Sequence, residues 1–152
     1  MANRCVIETG PLTILDLDQG EQKLILSERI DAIESGYEFM LAYAAQGRDT
    51  DKDAGGSGAG FELRGFLQKM EKALDGLGPL IKSAVDSQKA NLGPSNPFLD
   101  AVEEDAKKAL GLIQLIMAQP GISSMLIDNA NASIHLRALL TDLFVIDEAF
   151  DF

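Results

Sequence analysis

Residues 26–45 read LSERIDAIESGYEFMLAYAA, and this segment indicates the architecture of the whole chain. Its apolar side chains recur at steps of three and four, which places them on one face of an α-helix. That stripe consists of Leu26, Ile30, Ile33, Tyr37, Met40, Leu41 and Ala44. Charged residues such as Glu28, Asp31 and Glu34 lie on the other side. The apolar face therefore has to be buried against a partner of matching length.

Three further apolar stripes follow, from Leu63 to Ala84, from Leu99 to Ile116 and from Met125 to Phe150. Each keeps the helical spacing, so the chain predicts an all-α, or mainly α, fold in a single domain of residues 1–152. We expect a four-helix antiparallel or crossover bundle. The predicted helices lie near residues 21–46, 61–90, 97–118 and 123–143.

The segment before the first helix does not follow this pattern. Short apolar runs at residues 5–7 and 12–15 are separated by Gly10-Pro11. Such runs favour strands or extended chain. We therefore expect residues 1–19 to form an extended arm or a short β-hairpin on one side of the helices.

Glycine and proline mark the expected breaks. Gly36 lies inside the first helix and predicts a close helix crossing, whereas Gly76 and Pro79 predict a kink or a restart in the second helix. Asn96 followed by Pro97 is typical of a helix start. Residues 48–60 are rich in Asp and Gly and predict a flexible loop.

Composition limits the classes of partner. Of the 152 residues, 24 are Asp or Glu and 13 are Lys or Arg, which gives a net charge of -11. This charge disfavours nucleic acid and anionic membranes, and it favours a protein partner with a basic or grooved surface.

No run approaches the roughly 20 apolar residues of a membrane span. With one cysteine, Cys5, and no secretory signal at the start, we expect a cytoplasmic protein.

The loop offers one candidate metal site. Asp49, Asp51 and Asp53 alternate, and Glu62 follows, which resembles the start of an EF-hand calcium loop. The resemblance is incomplete, because Ala54 stands where that loop needs Gly and Gly60 stands where it needs Glu. A solvated acidic loop is the alternative interpretation.

Catalytic groups are few. His135 is the only histidine, with Asn131 four residues before it, and this pair is a second candidate for a metal or ligand site. Cys5 lies among small hydrophobic residues, which is typical of an inert thiol. We therefore expect a protein that is not an enzyme and that needs no cofactor.

The last ten residues combine aromatic and acidic side chains, which predicts docking on a basic, grooved partner. The candidate partner-binding residues are Phe144, Asp147, Glu148, Phe150, Asp151 and Phe152. Packing of Phe144 and Phe150 at the end of the core is the alternative. A homodimer formed through Ile25 and Tyr43, which flank the first stripe, is a further hypothesis.

The leading prediction is a non-enzymatic protein-binding module, such as an adaptor, a chaperone-like factor or an assembly subunit. The rival prediction is a helical bundle that binds a metal ion or small ligand.

Overall fold

The structure is a computed structural model and describes residues 10–52, 59–88, 92 and 95–152. These residues form helices and connecting loops without a strand, which confirms the predicted all-α class. A short 3-10 helix, Ile14–Asp16, precedes six described α-helices. In chain order they are α1 (Gln19–Ala44), α2 (Ala59–Leu74), α3 (Leu77–Ser87), α4 (Pro97–Met117), α5 (Ser124–Ala132) and α6 (Ile134–Phe150).

The second predicted strand, residues 12–15, does not form: Ile14–Asp16 are one turn of 3-10 helix, and residues 10–13 have no regular structure. The side chain of Asp16 accepts a hydrogen bond from the backbone N–H of Thr13 (2.9 Å), and this contact closes the turn at residues 14–16. The 3-10 helix packs against α3. Residues 5–7, the first predicted strand, lie outside the described residues.

The long helix α1 begins at Gln19, directly after its N-cap residue Asp18. The Asp18 carboxylate accepts a hydrogen bond from the backbone N–H of Glu21 (2.9 Å). Farther along α1, a Cβ atom on Gly36 would lie 2.3 Å from both Cγ and Sδ of Met70 in α2. Only glycine allows this approach, so the predicted close crossing at Gly36 is confirmed.

The predicted second helix is divided into α2 and α3. The break lies at Gly76, whose φ of +68° is a conformation that glycine adopts readily. Pro79 falls in the first turn of α3, where its missing N–H removes no helical hydrogen bond. The predicted restart is confirmed, and the apolar stripe continues across the break with every member buried: Leu63, Leu67, Met70, Leu74, Leu77, Ile81 and Ala84.

Helix α4 begins as the sequence predicts. The side chain of Asn96 accepts hydrogen bonds from the amides of Phe98 (2.9 Å) and Leu99 (3.3 Å), and Pro97 is the first helical residue. The apolar residues of α4 are buried against α2, α3 and α6, while α1 packs against α2, α3 and α5.

The predicted fourth helix is wrong in two respects. The chain breaks at Ser133, so α5 and α6 are separate helices, and α6 continues beyond residue 143 to Phe150. Because α5 is rotated relative to a continuous helix, Met125 is 75% exposed and Ala132 is also exposed, although both belong to the predicted stripe. Helix α5 instead buries Ile127, Ala130 and Asn131.

The end of α6 carries acids where a helix favours cations, and the sequence therefore allowed the helix to end near residue 142. That expectation is wrong, because Ile146 is buried and Phe150 packs against the core. Burial of two large side chains contributes about 3 kcal/mol or more, which exceeds the roughly 1 kcal/mol of unfavourable dipole interaction.

Among the described helices, none combines the length and the apolar character that a membrane span requires.

Candidate functional site

The loop after α1 and the loop between α4 and α5 meet at Asp51. Its side chain is 3% exposed and accepts hydrogen bonds from Nε of Arg64 (2.6 Å) and from the Ile122 amide (2.8 Å). Arg64 also donates to the carbonyls of Met117 (3.1 Å) and Gln119 (3.0 Å) at the end of α4. Burial raises the pKa of Asp51, but the hydrogen bonds from Arg64 and Ile122 outweigh it and hold the pKa below its ordinary value.

A second set of hydrogen bonds ties the same two loops together. Ser124 and Arg48 exchange two bonds of 2.8 Å, one through each residue's backbone N–H. The Ser124 hydroxyl donates to the Tyr43 carbonyl (2.7 Å), and the Tyr43 hydroxyl donates to the Ile122 carbonyl (2.6 Å). Tyr43 is therefore fully buried within the protomer and does not lie on an exposed flank of α1.

The three candidate calcium ligands that the structure describes do not form a metal-binding cluster. Asp51 is paired with Arg64, whereas Asp49 and Glu62 are exposed. Asp53 lies outside the described residues. Within the described ranges, no group of three His, Cys, Asp or Glu side chains is placed to hold a metal ion.

The second candidate site is divided by the helix break at Ser133. Asn131 lies on α5 with 6% exposure, and His135 lies exposed on α6. Both polar atoms of the Asn131 side chain are buried without a hydrogen-bond partner among the described residues. The sequence placed the two residues one helical turn apart on one face, and this arrangement is wrong because they belong to different helices. Cys5, the only thiol, lies outside the described residues.

A pair of carboxyl groups lies between α4 and α6. Asp142 of α6 faces Asp105 of α4, and one oxygen of Asp142, Oδ2, is buried without a partner among the described residues. Burial, a hydrogen bond with Asp105 and the charge of Asp105 together raise the pKa of Asp142 to about 7. Near neutral pH the Asp142 carboxyl is therefore protonated about half of the time. Sequence spacing alone gave no signal for this pairing, because the two residues are far apart in the chain.

The predicted partner-binding residues at the end of α6 divide into two groups. Phe150 and Phe152 stack with ring centroids 5.8 Å apart and pack against the core. Phe144 is 56% exposed, and Asp147, Glu148 and Asp151 are also exposed. The structure therefore places the first group in the core and leaves Phe144 and the acids at the surface.

Carboxylates of α1 lie close to the exposed acids of α6. Burial raises the pKa of Glu34, and the charges of Asp31, Asp147 and Glu38 raise it further. None of these four carboxylates forms an ion pair with a described residue. We call the surface formed by Asp31, Glu34, Glu38, Phe144, Asp147 and Glu148 the acidic–aromatic face.

Sequence reasoning found the α6 part of this face and missed the α1 part. A usable signal was present, because residues 30–47 and 138–152 contain no Lys or Arg. Neither segment without Lys or Arg predicts an acidic surface by itself, and the two form one only because they lie near each other in the folded chain. The charge interaction between Glu34 and Asp147 could not be inferred from spacing.

Comparisons of the chain with protein-family models, with curated proteins and with solved structures gave no match. The function is therefore inferred from the geometry and chemistry of the side chains.

Proposed function

We propose that this protein is a non-enzymatic module that binds another protein through the acidic–aromatic face. The partner presents a basic segment that also carries apolar side chains. The observation that carries the proposal is that the charges of Asp31, Glu38 and Asp147 all act on Glu34, and none of the four carboxylates forms an ion pair with a described residue.

In the free protein, placing these carboxylates close together raises the electrostatic free energy. Burial raises the pKa of Glu34, and repulsion by the charges of Asp31, Asp147 and Glu38 raises it further. Lys or Arg side chains of a partner would replace the repulsion by attraction. Charge complementarity of this kind increases the association rate and selects against acidic competitors.

Phe144 supplies the apolar part of the contact. It precedes Asp147 by three residues and Glu148 by four, so all three share one flank of α6. Exposed aromatic residues beside charged groups are typical binding hot spots. A partner segment with both cations and apolar residues matches the face better than a purely basic one.

We also propose that the scaffold is a bundle of four helical segments, α1, α2–α3, α4 and α5–α6, and that the protein acts in the cytoplasm. The pairs of helices in contact support the first proposal, and the single cysteine supports the second. The rival hypothesis, a metal or ligand site through residues 49–62 or His135, has no supporting geometry among the described residues.

Binding of a synthetic peptide tests the proposal directly. The probe is an amphipathic peptide with Lys and Leu at helical spacing, and its affinity is measured by fluorescence anisotropy at about 0.15 M salt. The variant Glu34→Gln/Glu38→Gln should lower the affinity about tenfold, and Phe144→Ser should lower it by a similar factor. Deleting residues 147–152 is a poor test, because it also removes the core contacts of Phe150 and Phe152.

The matched control is Asp49→Asn/Asp128→Asn, which removes two exposed acids outside the face. It should leave the affinity within about twofold of the wild type, since single exposed charges outside a contact contribute little. Equal losses in the control and in the Glu34→Gln/Glu38→Gln variant would reject the face in favour of net charge alone.

A further inference from the structure

A groove between α1 and α2 has the opposite chemistry to the acidic–aromatic face. Its volume is about 340 Å³, and its apolar floor includes Ile25 and Ala32 of α1. Three cations, Arg29, Lys69 and Lys72, line it together with one acid, Glu28. We call this surface the basic groove.

The cations of this groove differ in how they are used within the protomer. Arg29 donates hydrogen bonds to the carbonyls of Ala73 and Asp75 at the end of α2. Lys69 and Lys72 are exposed and form no ion pair with a described residue. Lys69 lies 5.7 Å from the centre of the Phe66 ring. Two lysines beside an apolar groove are therefore open to carboxylates of another molecule.

The groove and the face lie on different flanks of the same helix. At about 100° of rotation per residue, Ile25 and Arg29 point toward α2, whereas Glu34 and Glu38 point away from it. The face of one molecule can therefore meet the groove of a second molecule without blocking the remaining face and groove. Such a head-to-tail contact is heterologous, and it extends into a chain or closes into a ring.

We propose that the partner of the acidic–aromatic face is a second copy of this chain, which receives the face in its basic groove. This inference rests on the proposed function. Lys69 and Lys72 would pair with the carboxylates of the face, and Phe144 would enter the apolar groove. Charge complementarity between the two surfaces favours this occupant, because each surface supplies the charge and the apolar contact that the other lacks.

Net charge determines the conditions of the test. Two molecules of charge -11 repel each other at a distance, but at about 0.15 M salt the Debye length is about 8 Å. Distant charges are then screened, and contacts at ion-pair distance persist. At about 1 M salt the contacts are weakened as well. Self-association should therefore be detectable at physiological salt and should be lost at high salt.

The experiment is sedimentation velocity of the full chain over a range of concentrations at about 0.15 M salt. The wild type should show a mean mass that increases with concentration. Lys69→Gln/Lys72→Gln and Glu34→Gln/Glu38→Gln/Phe144→Ser should each remain monomeric, with unchanged circular dichroism. The control variant Lys52→Gln/Lys108→Gln removes two positive charges outside the groove and should associate like the wild type.

Mixing the two monomeric variants separates a head-to-tail contact from a two-fold contact. Each variant retains one intact surface, so an equimolar mixture should form a one-to-one dimer and no larger species. A groove variant that associates like the wild type overturns the inference, as does a mixture that stays monomeric.

The peptide assay distinguishes the failure of this inference from the failure of the proposed function. A wild type that is monomeric at all concentrations and still binds the Lys/Leu peptide overturns self-docking and leaves the proposed function standing. A monomeric wild type that does not bind the peptide overturns both.

Discussion

Two aspartates between packed segments of this protein illustrate opposite electrostatic environments. Asp51 meets the guanidinium of Arg64 and the amide of Ile122, and its pKa lies below the ordinary value. Asp142 meets another carboxyl group, and its pKa is raised to about 7. The same functional group is therefore charged and paired in one place and close to half-protonated at neutral pH in the other.

The difference shows which contacts hold the fold and which respond to solution conditions. A buried carboxylate with two donors ties the loops next to α1, α2, α4 and α5 at any pH well above its pKa. Between α4 and α6, the Asp142 carboxyl attracts Asp105 only while Asp142 is protonated, because two charged carboxylates repel each other. The pH-sensitive contact therefore involves the helix that also carries Phe144 and Asp147 of the acidic–aromatic face.

Asp51→Asn tests the first half of the comparison and should have the largest effect. It removes the charge that compensates Arg64, and removing one partner of a buried ion pair costs about 3 kcal/mol. Urea unfolding at pH 7 measures the loss. Asp49→Asn, on the exposed neighbour, should change the free energy of unfolding by less than about 0.5 kcal/mol. Equal effects of the two substitutions would contradict the structural role of Asp51.

Asp142→Asn tests the second half. In the wild type the folded protein binds more protons than the unfolded chain between about pH 4 and pH 7, so stability falls as pH rises through this range and is level above it. The variant lacks this decrease. From pH 4 to pH 8, the free energy of unfolding of the variant should therefore rise by about 2 kcal/mol relative to that of the wild type. This figure allows for solvent screening at a partly exposed site.

Thermal melts of both proteins at pH 4, 6 and 8 measure the difference. Asp105→Asn should give a gain in the same direction, and the double variant should add little, because either substitution removes the repulsion between the two carboxylates. Parallel pH profiles for the wild type and Asp142→Asn would show that the pair carries no repulsion.

Arg64→Lys separates the effect of charge from that of geometry at the Asp51 junction, which is the set of hydrogen bonds that Asp51 accepts from Arg64 and Ile122. Lysine keeps the charge, but it cannot reach Asp51 and the carbonyls at the end of α4 with one planar group. We expect a loss of about 1.5 kcal/mol in the free energy of unfolding, measured by urea titration. A loss as large as that of Asp51→Asn would indicate that geometry, rather than charge, dominates the junction.

Asn131→Leu extends the comparison to a neutral polar group that has no partner. Burying its amide without hydrogen bonds is unfavourable, so an apolar side chain of similar size should increase stability by about 1 kcal/mol. The control is Asn129→Leu, at an exposed position of the same helix. Destabilisation by Asn131→Leu, measured by thermal melting, would show that the amide has a partner in solution.

Helical periodicity predicted much of the fold from particular residues. The stripes of α2 to α4 are buried throughout, and Gly36 lies at a close crossing as expected. The prediction was wrong from Met125 to Ala132, because a break at Ser133 changes the rotation of α5 and no proline or glycine marks it. A break of this kind follows from tertiary packing, which outweighs local preference.

The candidate site was predicted only in part, for a related reason. Phe144, Asp147 and Glu148 were recognised because acids and aromatic residues adjoin in the chain, whereas Phe150 and Phe152 have the same pattern but pack against the core. Asp51 followed a calcium-like pattern, yet its described partners are Arg64 and Ile122. The local order of residues does not show whether a side chain faces the core or the solvent.

Periodic spacing of apolar residues was sufficient to define the buried faces of α2, α3 and α4 and most of that of α1, because each helix must cover its own stripe whatever its partner is. The pairing of Asp51 with Arg64, of Asp105 with Asp142 and of the α1 acids with α6 required the packed molecule. These pairs depend on distances between segments remote in sequence, and packing alone brings such segments within the few ångströms over which hydrogen bonds and charges act.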